Sequence, residues 1–383
     1  MINYKSDRRP KEEIKVEKLK AFLKRKNIVF SAKRYFIDAM GAMAQGLFCT
    51  LLVGTILNTL GTQFHIGFLQ KVVVTLGSGE GAMNYTIGGL ASAMVGPGMA
   101  VAIGNALQCP PLVLFSLIPV GFATNAMGGA GGPLAVFFVA LLASEVGKAV
   151  SKETKIDILV TPIVTILAGV GFAALIAAPV GSAASAFGRA IMWATELRPF
   201  FMGTIVSVVV GVVLTLPISS AAICAALGLV GLAGGAAVAG CCAQMIGFAV
   251  MSFRENRWGG LVAQGLGTSM LQMGNIVRNP RIWIPPTLAA AVTGPVATCL
   301  FRLQMNGAAV SSGMGTCGLV GQIGVYSGWV ADVASGAKSA ITSTDWIGLL
   351  LISFILPAIL TWLFAIPLRK IGWIKDGDLK LDL

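Results

Sequence analysis

The chain has 383 residues, 56% of them hydrophobic and only 11% charged, with a mean hydropathy of +0.82. Soluble domains carry about 25% charged residues, so a soluble globular protein is excluded. Of the 28 Lys and Arg, twelve lie in residues 1–34 against four acids, and two thirds of the net charge of +12 therefore sits on one short tail. That tail flanks the first apolar run, where positive-inside topology accounts for it. The basic balance marks orientation and not a nucleic-acid-binding face.

Composition divides the chain into a basic cytoplasmic tail at 1–34, a membrane transport domain at 35–370 and a cytoplasmic tail at 371–383. The N-terminal tail is too long and too charged for a cleaved signal peptide. Within it, Ile14, Val16, Leu19, Phe22 and Leu23 share a helical face, while Lys15, Lys18, Lys20 and the run Lys24-Arg25-Lys26 fill the rest. This pattern suits an amphipathic helix on anionic membrane lipid, or a solvated basic tail.

A transmembrane helix needs about 20 largely apolar residues. Eight segments qualify: 36–60, 83–107, 111–127, 132–150, 157–179, 199–216, 284–303 and 345–368. Two others do not fit. Residues 219–252 are too long for one span and are interrupted at Gly234-Gly235, and 307–331 are rich in Gly and Ser. Both read as re-entrant hairpins. With the N-terminus inside, four spans return Lys148, Lys152 and Lys155 to the cytoplasm. A simple seventh span at 219–252 would place Arg254, Arg257, Arg278 and Arg281 outside, whereas a hairpin keeps them inside. The expected fold is thus an all-α polytopic membrane protein with about eight spans, two opposed hairpins and both termini in the cytoplasm. Arg189, Arg198 and Arg302 stay on the outer side.

Non-helical backbone survives at membrane depth only where protein or a polar cavity supplies hydrogen bonds, so broken helices point to sites. The polar residues fall there. Ser219 and Ser220 open the first hairpin, Gln244 lies on its return arm, and Ser311, Ser312 and Thr316 surround the turn of the second, followed by Gln322. Gln264, Thr268, Ser269, Gln272 and Asn275 dot the stretch between them. Neutral hydroxyls and amides suit a small polar solute rich in hydroxyl groups; singly, such residues also let helices pack closely. Glu80, set among glycines and followed by Asn84, is a carboxylate suited to ion or proton coupling, or else an acid of a water-facing outer loop. Glu145 stands three residues before Lys148 and Asp157 opens the fifth span near Lys155, so pairing and capping explain both. Glu196 reads as interfacial, close to Arg198.

Enzyme chemistry is not supported. The seven cysteines lie in apolar or Gly-rich segments, and with His65 as the only histidine and no CxxC pair neither a metal nor a haem site is expected. His65 reads as an interfacial side chain after the first span. Gly313, Gly315 and Gly318 match GxGxxG without the strand and acidic residue that a dinucleotide site requires. No cofactor is expected.

Several longer strings carry a resemblance. Gln108-Cys-Pro-Pro-Leu-Val-Leu-Phe115, the turn from Gly147 to Asp157 with Val160-Thr-Pro162, and the run from Gly240 to Asn256 resemble the IIC-like membrane proteins of the sugar phosphotransferase system, in a branch containing membrane proteins assigned to regulation of toxin expression. Gly265-Leu-Gly-Thr-Ser-Met-Leu-Gln272 and Asn279-Pro-Arg-Ile-Trp-Ile-Pro-Pro286 are similar to the same proteins. The resemblance spans roughly 35–370 and implies a bacterial plasma-membrane permease, a homodimer in which a solute-bearing unit moves against a scaffold, and a separate cytosolic IIB partner. The chain departs from a complete phosphotransferase in having no IIA or IIB domain and no credible phosphocarrier His or Cys. The family's short Glu-containing substrate motif is also not placed: Glu196 follows Thr195 but precedes Leu-Arg-Pro. An alternating-access permease for a sugar or polyol is therefore the leading expectation, and a membrane sensor or regulator of gene expression on the same fold the alternative.

Overall fold

The computed structural model describes residues 11–77, 82–195 and 197–381. Its helices, in chain order, begin with α1 (Lys11–Arg25) and α2 (Arg34–Thr62), the latter containing two wide π turns at Arg34–Ala39 and Phe48–Leu52. A small antiparallel hairpin follows, β1 (Val74–Leu76) with β2 (Met83–Tyr85), Thr75 opposite Asn84. Thr86 then caps α3 (Ile87–Ala93) by accepting from the Gly89 N–H, and α4 (Val95–Ala106) continues at a bend of 52°. The apolar run 83–107 is therefore a strand and a broken helix, because the cap sets the helix start at 87.

Pro111 opens α5 (Pro111–Gly128), and Gly129, at φ +52°, turns the chain into α6 (Gly132–Val150). Val113 packs on Gly147 and Asn125 on Gly132, so these two helices are antiparallel arms. Next comes α7 (Asp157–Thr195), whose 39 residues span roughly 58 Å at 1.5 Å per residue. It runs well past the expected end at 179 and holds Arg189 in its last turns. The extension has tertiary support, since Gly188 faces Ile223 and Leu227.

The second half contains α8 (Pro199–Thr215), α9 (Ser220–Ala226), α10 (Gly231–Met251), α11 (Phe253–Val262), α12 (Met273–Arg278), α13 (Pro280–Leu300), α14 (Val320–Ala334) and α15 (Ser343–Lys370). The long run 219–252 breaks at 227–230, with Gly228 and Gly231 at φ +58° and +65°, and not at Gly234-Gly235. Those two glycines are continuous helix. Their smallness serves contact instead: a Cβ on Gly235 would overlap the Leu303 carbonyl. Ser207 packs on Gly240 and Thr215 on Gln244, so α8 and α10 run parallel, and residues 216–230 carry the chain back toward the level where α8 began. Most of α10 is buried, enclosed by α8, α13 and α15, with small residues at each crossing.

Two bundles result. One is α3 to α7; the other is α8, α10, α13 and α15, and α2 packs between the first bundle and the broken segments near 263–278 and 309–320. Among the described residues, six helical runs are long and apolar enough to cross a membrane, seven if α3 and α4 count as one bent span. One of the six, Pro111–Val150, holds both arms of the α5–α6 hairpin. Ile158, Ile163, Leu167 and Leu175 on α7, with Ile347, Ile355 and Ile359 on α15, are exposed in apolar rows of the kind that lipid covers favourably. The chain is a multi-pass helical membrane protein.

One end of the molecule is basic. Lys148 is 1% exposed and its Nζ lies 2.9 Å from Glu145, 3.1 Å from the Asn27 carbonyl and 3.4 Å from that of Leu107. Arg25 and Lys26 both pair with Glu153, at 2.7 and 2.5 Å. Asp157 accepts from the Lys152 N–H and the Thr161 hydroxyl, tying the loop before α7 to its first turn. The end of the basic tail is thus fastened to the loop before α7.

Two outcomes follow from this packing. Replacing Gly240 by Ala forces a methyl onto the Ser207 carbonyl and should cost about 1–3 kcal/mol, read as a lowered melting temperature in detergent, while Gly171→Ala, with open space around it, leaves melting unchanged. Glu153 is held below its ordinary value of 4.5, chiefly by the hydrogen bond from Lys26. A depressed carboxylate stabilises the contact above the unfolded value and loses it as pH falls through the folded one. Proteolysis of the tail should therefore be slow at neutral pH and accelerate below 4.5, and in Glu153→Gln it should be fast at both.

Candidate functional site

Two stretches of chain leave the helical path, and they meet. The first is a π turn at Ala263–Gly267, an extended Thr268 and a 3-10 turn at Ser269–Gln272. The second has turns at Ala309–Gly313 and Cys317–Leu319, with Gly315, Gly318 and Leu319 at φ +53°, +50° and +60°. A left-handed Leu costs on the order of 1–3 kcal/mol and persists where the surroundings hold it. The segments touch one another and α2 about halfway along α10: Gly315 lies against Cys241, and the Thr316 hydroxyl is 3.5 Å from the Met245 sulfur.

The polar residues singled out from sequence fall into three buried groups here. In the first, Gln264 Nε2 donates to Ser252 at 2.8 Å, its Oε1 accepts from Gln272 at 2.8 Å, and Gln272 in turn accepts from Asn275 at 2.8 Å. This row also grips residues 371–381: Gln272 donates to the Leu379 carbonyl at 3.0 Å, Asn275 to that of Lys380 at 2.9 Å and Asn256 to Leu379 at 2.7 Å. Ile374 and Leu379 are buried, so the segment read as a cytoplasmic tail folds back into the basic end. In the second group the Thr215 and Ser269 hydroxyls are 2.8 Å apart, and Gln244 accepts from the Trp283 indole at 2.9 Å and donates to Thr287 at 3.2 Å. Thr268 caps the turn beside them, accepting from the Met270 N–H.

The third group surrounds the second break. Ser220 donates to the Gly313 carbonyl at 2.7 Å and Ser312 to that of Leu229, while Ser219 caps α9. Gln322 donates to Ser353 at 2.9 Å and to the Cys242 sulfur at 3.2 Å, leaving its own Oε1 buried without a partner among the described residues. The sequence-selected residues do not converge on one cavity. Of the two coupling candidates, Asn84 is exposed on β2 and accepts from Thr75 at 2.7 Å, and Glu80 lies outside the described residues, as does Glu196.

Two cavities flank the breaks, both walled by α2. At the basic end about 470 Å³ lies between Asp38, Gln45, Asn275, Arg278 and Lys380. Toward the other end about 290 Å³ is bordered by Thr55, Asn58, Thr59, Thr62, Ser311 and Ser327, with no ionisable group in its lining. Between them, one α2 face packs closed against the broken segments. The Phe48 ring abuts Gly267, where a Cβ would overlap it; Leu52 is buried; and Ile56 fills the space over Gly318. The π turn Phe48–Leu52 sits at this closure, a distortion that recurs at functional sites. Sequence reading passed over α2, although Thr55, Asn58, Thr59 and Thr62 recur at helical spacing inside an apolar run and Asp38 interrupts its start.

Broken helices meeting between two opposed cavities, inside a multi-pass bundle, define a membrane transport protein. The family described as Phosphotransferase system, EIIC, matches residues 37–381, and the chain belongs to it. EIIC is the membrane transport subunit of that system and by itself no catalytic domain. No curated protein and no solved structure matches the chain.

The amide row should behave as one unit. Gln264→Leu leaves the buried Ser252 hydroxyl without its amide donor and one Gln272 N–H unpaired, a loss of about 1–3 kcal/mol. Its melting temperature in detergent should fall by several degrees, against little change for Gln304→Leu on the exposed surface.

Proposed function

We propose that the chain is a permease moving a small uncharged polar solute, of the sugar or polyol class, by alternating access. The observation that carries this reading is the division of one α2 face into two cavities by Phe48, Leu52 and Ile56. Small shifts of Gly267 or Gly318 away from α2 would open one cavity to the centre while the other stays closed, which is what alternating access requires. The hydroxyls and amide around Thr59 offer donors and acceptors without charge and so match a hydroxyl-rich solute. Ser311 and Asn275 border the cavities directly. Ser219, Ser220, Gln244, Gln264, Thr268, Ser269, Gln272, Ser312, Thr316 and Gln322 shape the breaks that would move.

In this reading the basic end faces the cytoplasm, as the positive-inside rule favours, in a bacterial plasma membrane. A second copy of the chain and a separate IIB-type protein at the basic end complete the assembly expected of the family. A sensor role draws on a different observation, the basic tail pinned to Glu153. Deleting residues 1–30 discriminates the two, since transport largely survives that change and signalling through the tail does not.

Uptake into liposomes made with the purified protein is the direct test. A sugar or polyol should accumulate to equilibrium, and Thr59→Val should raise KM about threefold to tenfold, the worth of one hydrogen bond, with kcat less affected. If no sugar or polyol binds or crosses, or if only charged solutes do, the proposal falls.

A further inference from the structure

The basic end carries a third cavity, outside the transport path. About 480 Å³ opens between the end of α10, the start of α11 and the last turns of α15. Its floor is apolar, formed by Val250, Phe253, Leu261, Trp362 and Ile366, and its rim holds Arg254, Arg369 and Lys370. The two chemistries are segregated along one groove.

The cations are differently engaged. Arg369 donates to the Met251 carbonyl at 3.0 Å and lies 3.3 Å from Asp376 and 3.7 Å from Glu255, so it serves the fold. Arg254 and Lys370 are exposed and have no ion pair among the described residues. Lys370 at the end of α15 complements the helix dipole. Arg254 stands three residues past the end of α10, in a single turn that breaks at Arg257 (φ +51°), and its charge is open to an anion from outside the chain.

We infer that this groove binds an anionic glycerophospholipid, its phosphate between Arg254 and Lys370 and an acyl chain along Trp362 and Ile366. Three observations favour lipid over a soluble anion or an acidic protein. The floor is apolar where a free anion would need polar partners. Trp362 and Leu363, 55% and 46% exposed, continue the groove onto the face of α15 that lipid covers. Trp258, 71% exposed beside it, has the interfacial character of an aromatic belt residue. Basic pockets between spanning helices at a membrane surface hold lipid headgroups by this combination of charge and chain contact.

Native mass spectrometry of the full-length protein, released from nanodiscs of mixed phosphatidylglycerol and phosphatidylcholine, tests this. Wild type should retain phosphatidylglycerol over phosphatidylcholine. The double variant Arg254→Gln with Lys370→Gln should lose that preference by about tenfold or more, given the attraction each surface cation contributes. Arg254→Lys should keep most of it, and Lys152→Gln, in the other basic cluster, should keep all of it. An unchanged preference in the double variant overturns the inference. So does displacement of the lipid by millimolar inorganic phosphate, which would mark a free-anion site, or equal retention of the two lipids. Both substituted side chains are exposed, and melting in phosphatidylcholine alone reports whether the variant is folded.

Discussion

Everything in this molecule answers to one constraint: backbone donors and acceptors at membrane depth have no partner outside the protein. Helices meet it by themselves. The segments 263–272 and 309–319 and the break at 227–230 do not, and hydroxyl side chains supply part of what is missing. Ser220 reaches the Gly313 carbonyl, Ser312 the Leu229 carbonyl, and Thr268 its own turn. These hydroxyls keep unwound chain at the centre of the bundle, and that unwound chain lets two cavities approach each other so closely.

Much of the fold could be read from the sequence, because apolar run length and flanking charge are nearly sufficient to place a spanning helix. The runs at 36–60, 111–127, 132–150, 199–216 and 345–368 each correspond to a helix with similar bounds. Glycine misled the reading at 234–235, since in a membrane helix it signals either a break or a close crossing, and only the Leu303 carbonyl opposite Gly235 decides between them. The length of α7 was hidden for a related reason: its last turns are held by contact with α9, and no local signal announces that.

The polar residues were legible as a class but not as a network. Gln272 and Asn275 look in sequence like solute ligands; in three dimensions their amides are taken by the carbonyls of Leu379 and Lys380. Residues 371–381 have the composition of a solvated tail, with Lys375, Asp376, Asp378 and Lys380, and nothing periodic marks Ile374 and Leu379 as buried. The face of α2 was overlooked because its long apolar run classified it as a plain span. A helix can be both span and wall, and the threonines at one-turn spacing were the available sign.

The grip of Asn256, Gln272, Asn275 and Asn279 on residues 373–380 also bears on how the chain is made. These amides leave the ribosome about a hundred residues before the carbonyls that satisfy them, a separation of 107 positions for Gln272 and Leu379. Throughout that interval they stay wetted at the membrane surface. The basic end is therefore the last part of the domain to set, and a nascent chain stalled before residue 379 would hold a membrane-inserted bundle whose floor is still open.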